Sequence, residues 1–341
     1  MAATLSDVLI LGAGVAGLAA AGALRRAGAR VVVLDKGRGP GGRVATRRVD
    51  GQPVDHGLSF FHGSEPAFLA ALDAVSATAL EGWPARVRGA GAPCNPAAFD
   101  PYRPTRRLAF AEGVSAFPKR LSEGLDLRCG VRAARISADE RGFTVTDEQG
   151  EACTARDLVL ALPVEQSAQL LDGHRALAPA RALLGTIGSA PCQTVIAVYD
   201  GPDEPLDFEI LLPEESKILQ LVSHDSSKRA APRKRVLVLQ ARGAWSARHL
   251  EDPPERVSAA LLAEAARLLG PWAGAPASAQ QHRWRYARAR GGDQLGAPLL
   301  LNLGGARLGV TGESFAPGGG VEGGFLAGQR LARTLTGEQD A

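Results

Sequence analysis

Two unbroken apolar runs, Val8–Leu11 and Val31–Leu34, bracket a stretch dominated by alanine and glycine near the start of the 341-residue chain. Continuous short runs of this kind mark strands buried on both faces, and the small-residue stretch between them reads as a helix. A third such run, Leu158–Leu162, stops at Pro163. Shorter strands are expected over Leu125–Gly130, Ala134–Ser137 and Phe143–Thr146, then a turn at Asp147–Gly150. Further on, Thr194–Tyr199, Glu209–Leu212, Ile218–Val222 and Arg235–Ala241 read as strands of an antiparallel sheet. Val257, Leu261, Leu262, Ala265 and Leu268 share one helical face over Glu255–Leu269. Helices are also expected at Ala67–Ala77, Gly113–Leu121 and Phe325–Leu335, and Glu81–Arg107, rich in Gly, Pro and Arg, reads as a loop excursion.

The first turn carries the chemistry. Gly12-x-Gly14-x-x-Gly17 lies between the first strand and its helix, in the run Gly12-Ala13-Gly14-Val15-Ala16-Gly17. Gly12 permits the tight turn, Gly14 lets backbone amides approach a pyrophosphate, and Gly17 brings helix and sheet together. The helix N-terminus then offers unpaired N–H groups and partial positive charge to phosphate. Asp35 ends the second strand 23 residues after Gly12, where a carboxylate accepts hydrogen bonds from a ribose. Framed by two buried strands, this is a dinucleotide site.

A second glycine turn follows: Lys36-Gly37-Arg38-Gly39-Pro40-Gly41-Gly42-Arg43. An NAD domain has no need of it, whereas a larger cofactor must lie along backbone without side chains. Arg43 stands where a guanidinium can pair with a pyrophosphate or brace the loop. Asp55-His56-Gly57 makes another tight turn before Ser59-Phe60-Phe61. The GxGxxG, the acidic strand end and the GGR loop together resemble the FAD-binding start of the glutathione-reductase and amine-oxidase type flavoproteins. The C-terminus is similar to the closing motif of the same proteins: Leu308–Glu313 reads as a buried strand ending in Gly312-Glu313, then Gly318–Gly320 and Val321 lead into the last helix. That resemblance implies that Glu313 contacts the ribityl or pyrophosphate region, that Gly320 and Val321 bind the cofactor, that a helix begins under the isoalloxazine ring, and that residues near Val131 approach the adenine. It implies non-covalent FAD, since no Cys stands between 309 and 324.

The expected architecture is therefore α/β: a Rossmann-like FAD-binding domain with an inserted α+β substrate domain built on a mostly antiparallel sheet. The division expected is 1–75, 112–165 and 283–341 for the FAD domain, with His282–Ala287 and the strand at 308–313 returning to it. Residues 76–111 and 166–282 form the substrate domain.

Composition narrows the function classes. The 39 basic and 36 acidic residues leave a net charge of +3, which argues against a nucleic-acid binder. No apolar run approaches the ~20 residues of a membrane span, and no signal-peptide pattern precedes Val8. Cys94, Cys129, Cys153 and Cys192 are widely spaced and read as reduced thiols of a cytoplasmic protein; the six histidines lack ligand spacing, so no metal is expected.

A more specific resemblance covers nearly the whole chain. Leu221–Gly270, the His282–Ala287 segment, the Gly312–Gly323 closure and the Gly57–Phe61 turn are similar to the renalase family. The chain departs from that pattern at Val222-Ser223-His224, where an aromatic is usual, and at Glu313, where Asp is commoner. The resemblance implies an FAD-dependent oxidase of misreduced nicotinamides, the 2- and 6-dihydro isomers of NAD(P)H, with hydride passing to flavin N5 and O2 reoxidising the flavin to give H2O2. Such chemistry needs a planar substrate held at roughly 3–3.5 Å from the ring rather than catalytic side chains. Ser59, Phe60, Phe61 and Trp284 are the candidates for shaping that slot, with a core role weighed equally for Phe61. Hydride transfer needs no general base, so His56 is expected to hydrogen-bond near the cofactor and His224 to sit on a strand. Arg103, Arg106 and Arg107 read as a solvated loop in preference to a pyrophosphate contact, and Lys228, Arg229, Arg233, Lys234 and Arg235 as a solvated hairpin. The alternatives are a flavin amine oxidase or desaturase, and a non-catalytic FAD-holding interaction protein.

Overall fold

The computed structural model describes residues 6–89 and 105–338; Cys94 and Arg103 lie outside the described residues. Ser6–Leu11 pairs in parallel with Val31–Asp35 on one side and Ala152–Leu160 on the other. Leu9 and Ile10 are wholly buried, as an apolar run covered on both faces requires. Around them lies, among the described residues, an eight-stranded sheet. Asp126–Cys129 extends it beyond Val31–Asp35. On its other side Gly142–Asp147 and Ala306–Val310 share the long Ala152–Leu160 strand, pairing with its first and second halves. Gly12 turns the chain into the helix Val15–Arg26, which packs against the last helix, Gly320–Thr336. That contact is very close: a Cβ on Gly328 would lie 2.1 Å from the Ala16 carbonyl oxygen.

The second sheet runs in the order Ser278–Ala289, Ser189–Tyr199, Arg235–Ala241, Leu219–His224, Ile210–Leu211, Val87–Arg88. Its pairs are antiparallel except the last, which is parallel. One face buries Val195, Ala197, Leu237 and Leu239 against Val257, Leu261 and Ala265 of the helix Pro254–Leu269. The opposite face places Ile196, Val198, Val236 and Val238 on Val49 and Val54 of the hairpin Thr46–Val49/Gln52–Asp55. Alternation along each strand thus serves two cores at once, and the second core ties this sheet to the nucleotide-binding half.

Four expectations are corrected. His282–Ala287 does not return to the nucleotide-binding sheet; it lies in Ser278–Ala289, at the edge of the antiparallel sheet against Ser189–Tyr199. The strand that does return is Ala306–Val310, joined by Leu299–Leu303. Within the expected loop excursion, Val87–Arg88 is a strand, and Arg106–Phe110 pairs with Phe61–Gly63 and Ala79–Glu81 in a small sheet of its own. The basic hairpin at 228–235 is only partly a solvated turn: Arg233 is exposed, but the side chains of Lys228 and Arg229 are buried, 0% and 6% exposed. The final helix also begins at Gly320, a turn and a half before Phe325, because the glycines themselves form its first turn.

Candidate active site

One continuous cleft of about 1540 Å³ runs from the first glycine turn, between the two sheets, to the start of the last helix. It exceeds the ~300–1,000 Å³ of an ordinary small-molecule pocket. At the nucleotide end, Gly12, Gly14, Val15 and Ala16 line it. The helix opens at Gly14 without a side-chain cap, so its first-turn amides are left for an anion. A Cβ on Gly14 would meet nothing within 4 Å, and Gly39 is equally open. Bare backbone therefore faces space open to a phosphate group. Gly17 serves packing instead: a Cβ there would lie 2.0 Å from the Gly12 carbonyl oxygen.

Asp35 and Lys36 border the cleft beyond this turn. The Asp35 carboxylate accepts from the Ala13 N–H at 2.6 Å and from the Gly37 N–H at 2.6 Å, which fixes the two loops relative to each other. Ala13 itself acts through this bond and does not line the cleft. Nor does Val131, whose N–H donates to the Asp35 carbonyl at 2.9 Å and so sits beside the strand end.

Gly42 and Arg43 form the next part of the wall, with Gly312 and Glu313 opposite. Arg43 forms an ion pair with Glu313 and donates to the Ala287 carbonyl at 3.1 Å. Glu313 also accepts from the Ala289 N–H at 2.8 Å. These contacts join the second glycine loop, the edge strand and the closing motif, three segments far apart in sequence. Gly318, Gly319, Gly320, Val321 and Glu322 complete this side. Glu322 accepts from the N–H groups of Ser64 (2.7 Å) and Glu65 (2.8 Å), clamping the loop after Phe61–Gly63 to the first turn of the last helix.

One further stretch of the wall is apolar and amide-bearing, with Arg285, Tyr286 and Arg288 also at the cleft. Gly57, Ser59, Phe60 and Phe61 line it with Ile210, Leu212, Leu221 and Trp284. Phe61 is mainly a core ring, edge-on to Phe110 at 5.8 Å and Phe117 at 5.2 Å. Trp284 donates its indole N–H to the His56 carbonyl at 3.1 Å. Ser59 borders the cleft, and its hydroxyl is buried with no hydrogen-bond partner in the protein. Gln220 and Gln240 supply amides, and Gln240 donates to the Gly57 carbonyl at 2.6 Å. In the orientation its surroundings require, Gln220 accepts from Arg288.

His56 stands behind this wall and His282 at its surface, 4.9 Å apart and edge to face. Burial, then the neighbouring His282 and Arg47, lowers the His56 pKa to about 4. Burial and Arg47 lower that of His282 to about 4 as well. Both rings are neutral at neutral pH. His224 is remote, buried, and held to Asp203 at 2.6 Å. Arg106 is ion-paired with Asp73 and Glu81, and neither it nor Arg107 lines the cleft.

The sequence pattern did not single out Gln220, Gln240, Glu322 or the buried Cys192, all at the cleft. Glu322 carries a signal, an acid in the first turn of a glycine-started helix. The glutamines carry none, because strand alternation does not say which face meets a ligand.

The glycine cradle, the uncapped helix terminus, the carboxylate at the strand end and the orphaned Ser59 hydroxyl fit a bound dinucleotide with a second ring system. Residues 10–75 match the family described as NAD(P)-binding Rossmann-like domain, and residues 76–336 match flavin containing amine oxidoreductase. The chain belongs to the flavin containing amine oxidoreductases. Lysine-specific histone demethylase 1 homolog 1 of Arabidopsis thaliana is 33% identical over 175 residues, 50% of this chain and 19% of that protein. Polyamine oxidase 3 of Oryza sativa subsp. japonica is 47% identical over 57 residues, 17% of this chain and 12% of that protein. These matches span less than a fifth of the curated relatives' length. Among solved structures, cyclohexylamine oxidase from Brevibacterium oxydans superposes with a TM-score of 0.72 at 18% identity, over 98% of this chain and 99% of that one. Putrescine oxidase bound to putrescine gives 0.69 at 18% identity, over 98% and 99%. At such identity the likeness is one of fold. No helix among the described residues is long and apolar enough to cross a membrane, and none of their side chains cluster as a metal site.

Proposed function

We propose that the protein is an FAD-dependent oxidase of renalase type, acting on a flat dihydronicotinamide dinucleotide, the 2- or 6-dihydro isomer of NAD(P)H, with O2 as the final acceptor. The observation that carries this reading is the character of the substrate wall. Phe60, Ile210, Leu212, Leu221 and Trp284 make it apolar, and Gln220 and Gln240 provide amides suited to a carboxamide. The acids within the cleft are engaged: Asp35 by two backbone amides, Glu313 by Arg43 and Ala289, Glu322 by Ser64 and Glu65. Glu65 is exposed at the mouth. A substrate ammonium would thus lose its hydration without gaining a carboxylate. Bound FAD would supply the redox chemistry, accepting a hydride and passing two electrons to O2. The protein's own work is to press a planar ring against the cofactor, exclude water with Phe60 and Trp284, and hold polar substituents on fixed amides. No side chain needs to remove a proton, in keeping with two histidines kept neutral by burial.

The family relationship favours an amine as the rival substrate. Anaerobic mixing of the holoenzyme with 2- and 6-dihydro-NAD(P), ordinary 4-dihydro-NADH and simple amines, followed by flavin absorbance, separates the two. Rapid bleaching by the isomers alone supports the proposal. Bleaching by amines, or by none of these, rejects it and leaves the FAD fold intact.

A further inference from the structure

Directly behind the cleft wall lies a buried ionic cluster that the redox reaction does not use. The Lys228 side chain is wholly inaccessible, as are Asp55 and Asp225. Its Nζ has three acceptors: Asp55 Oδ2 at 2.5 Å, Asp225 Oδ1 at 2.5 Å and the Ser59 carbonyl at 3.0 Å. Those three bonds exhaust an ammonium's donors. Arg229 closes the cluster. Its guanidinium reaches Asp55 and Asp225 and also the carbonyls of Pro53, Phe110 and Ala111. Thr46 and the Val114 N–H donate to the remaining Asp55 oxygen at 2.6 and 3.0 Å. Two cations and two anions leave the cluster neutral, with its charged groups hydrogen-bonded, as a buried network must be.

We propose that Lys228 is a positioning residue for the substrate wall, anchoring the Ser59–Phe60 segment from behind so that the Ser59 hydroxyl faces the cleft as a hydrogen-bonding group for an uncharged carbonyl or amide of the substrate. Two further contacts support the anchor. The Lys228 ammonium lies 4.8 Å from the Trp83 ring centre, and Trp83 meets Phe60 edge-on at 5.9 Å. Trp83 is itself fixed by its indole N–H on Ser227 Oγ at 3.2 Å. The ammonium therefore holds Ser59 through its carbonyl and Phe60 through Trp83, while the Ser59 hydroxyl is left without a protein partner. The identity of the reading group rests on the proposed substrate; the anchor does not.

The test uses holoenzyme variants. Lys228→Met alone strands buried carboxylates, so the informative variant is Lys228→Met/Asp225→Asn, which keeps the cluster neutral. Its crystal structure is expected to show Ser59–Phe60 displaced while Thr46 and Arg229 keep their bonds to Asp55; an unmoved wall overturns the proposal. Anaerobic spectral titration with the 2- and 6-dihydro isomers gives the second readout. Ser59→Ala and the neutral double variant are each expected to raise half-saturation about three- to tenfold, the worth of one hydrogen bond. Combined, they are expected to do no more than the stronger alone, since both remove one interaction. Multiplying effects overturn the proposal. If the wild-type flavin ignores both isomers, the proposed substrate fails, and the structural comparison still decides the anchor.

Discussion

Gly17 and Gly22 lie on the same helix, yet alanine at the two positions is expected to act oppositely. At Gly17 the new Cβ would lie 2.0 Å from the Gly12 carbonyl oxygen and 3.0 Å from the Ala161 Cβ. Neither atom is the end of a flexible side chain, so helix and turn must separate by roughly 1 Å to restore normal contact. Overpacking of this kind costs about 1–3 kcal/mol. With ~2.1 cal/mol/K of unfolding entropy per residue over 341 residues, Tm falls by about 1–4 °C. The larger effect is on the cofactor, because the same shift withdraws the helix N-terminus from the pyrophosphate. Losing one charge-assisted hydrogen bond, about 1.5–3 kcal/mol, weakens FAD binding about ten- to hundredfold. At Gly22 the nearest atom is the Arg26 guanidinium nitrogen at 3.4 Å, which swings aside. There alanine removes chain entropy from the unfolded state and is expected to leave FAD affinity alone while holding or raising Tm. Apoprotein titrated with FAD by fluorescence quenching, with thermal melts of both variants, checks the pair. Equal FAD affinity for Gly17→Ala and the wild type would refute the argument.

Other expectations follow from the same contacts. His56 and His282 titrate near 6.5 when unfolded and near 4 when folded, so the unfolded chain binds more protons between those values. Their contribution is complete above pH 6.5 and is lost as pH falls towards 4; urea midpoints at pH 5 and 7.5 should differ less in His282→Gln than in the wild type. Lys228→Met alone leaves Asp55 and Asp225 with Arg229 as their remaining charged partner and should cost about 3–5 kcal/mol, much of it recovered by adding Asp225→Asn. Chemical denaturation of the two variants measures that recovery. In Asp55, burial alone would raise the pKa, but Lys228 and Arg229 hold it below the usual carboxylate range. Arg43→Ala breaks the link between the second glycine loop and Glu313. Because that pair is partly exposed, stability should change by about 1 kcal/mol or less, whereas FAD should dissociate faster on dilution, followed by recovery of free-flavin fluorescence.

The nucleotide-binding half was legible in the chain because each of its signals is local. Buried parallel strands show as unbroken apolar runs, a tight phosphate turn demands glycine within six residues, and the strand-end acid follows at a set distance. Gly14, Asp35, Arg43 and Glu313 accordingly all border the cleft. The paired strands of the second sheet were readable for the same reason, though not the allegiance of Ser278–Ala289, which depends on a partner some 90 residues away. The sharpest divergence is at Lys228 and Arg229. In sequence they belong to a basic hairpin, and a charge run reads as solvated. In the fold Asp55, over 170 residues distant, meets them in the interior. Burial of a charge depends on whether a partner arrives with it, and that is a property of tertiary packing, not of local composition. The apolar pattern and the glycines determine where a cofactor lies. Only the packing of one sheet against the other decides which glutamines and which serine border the space beside it.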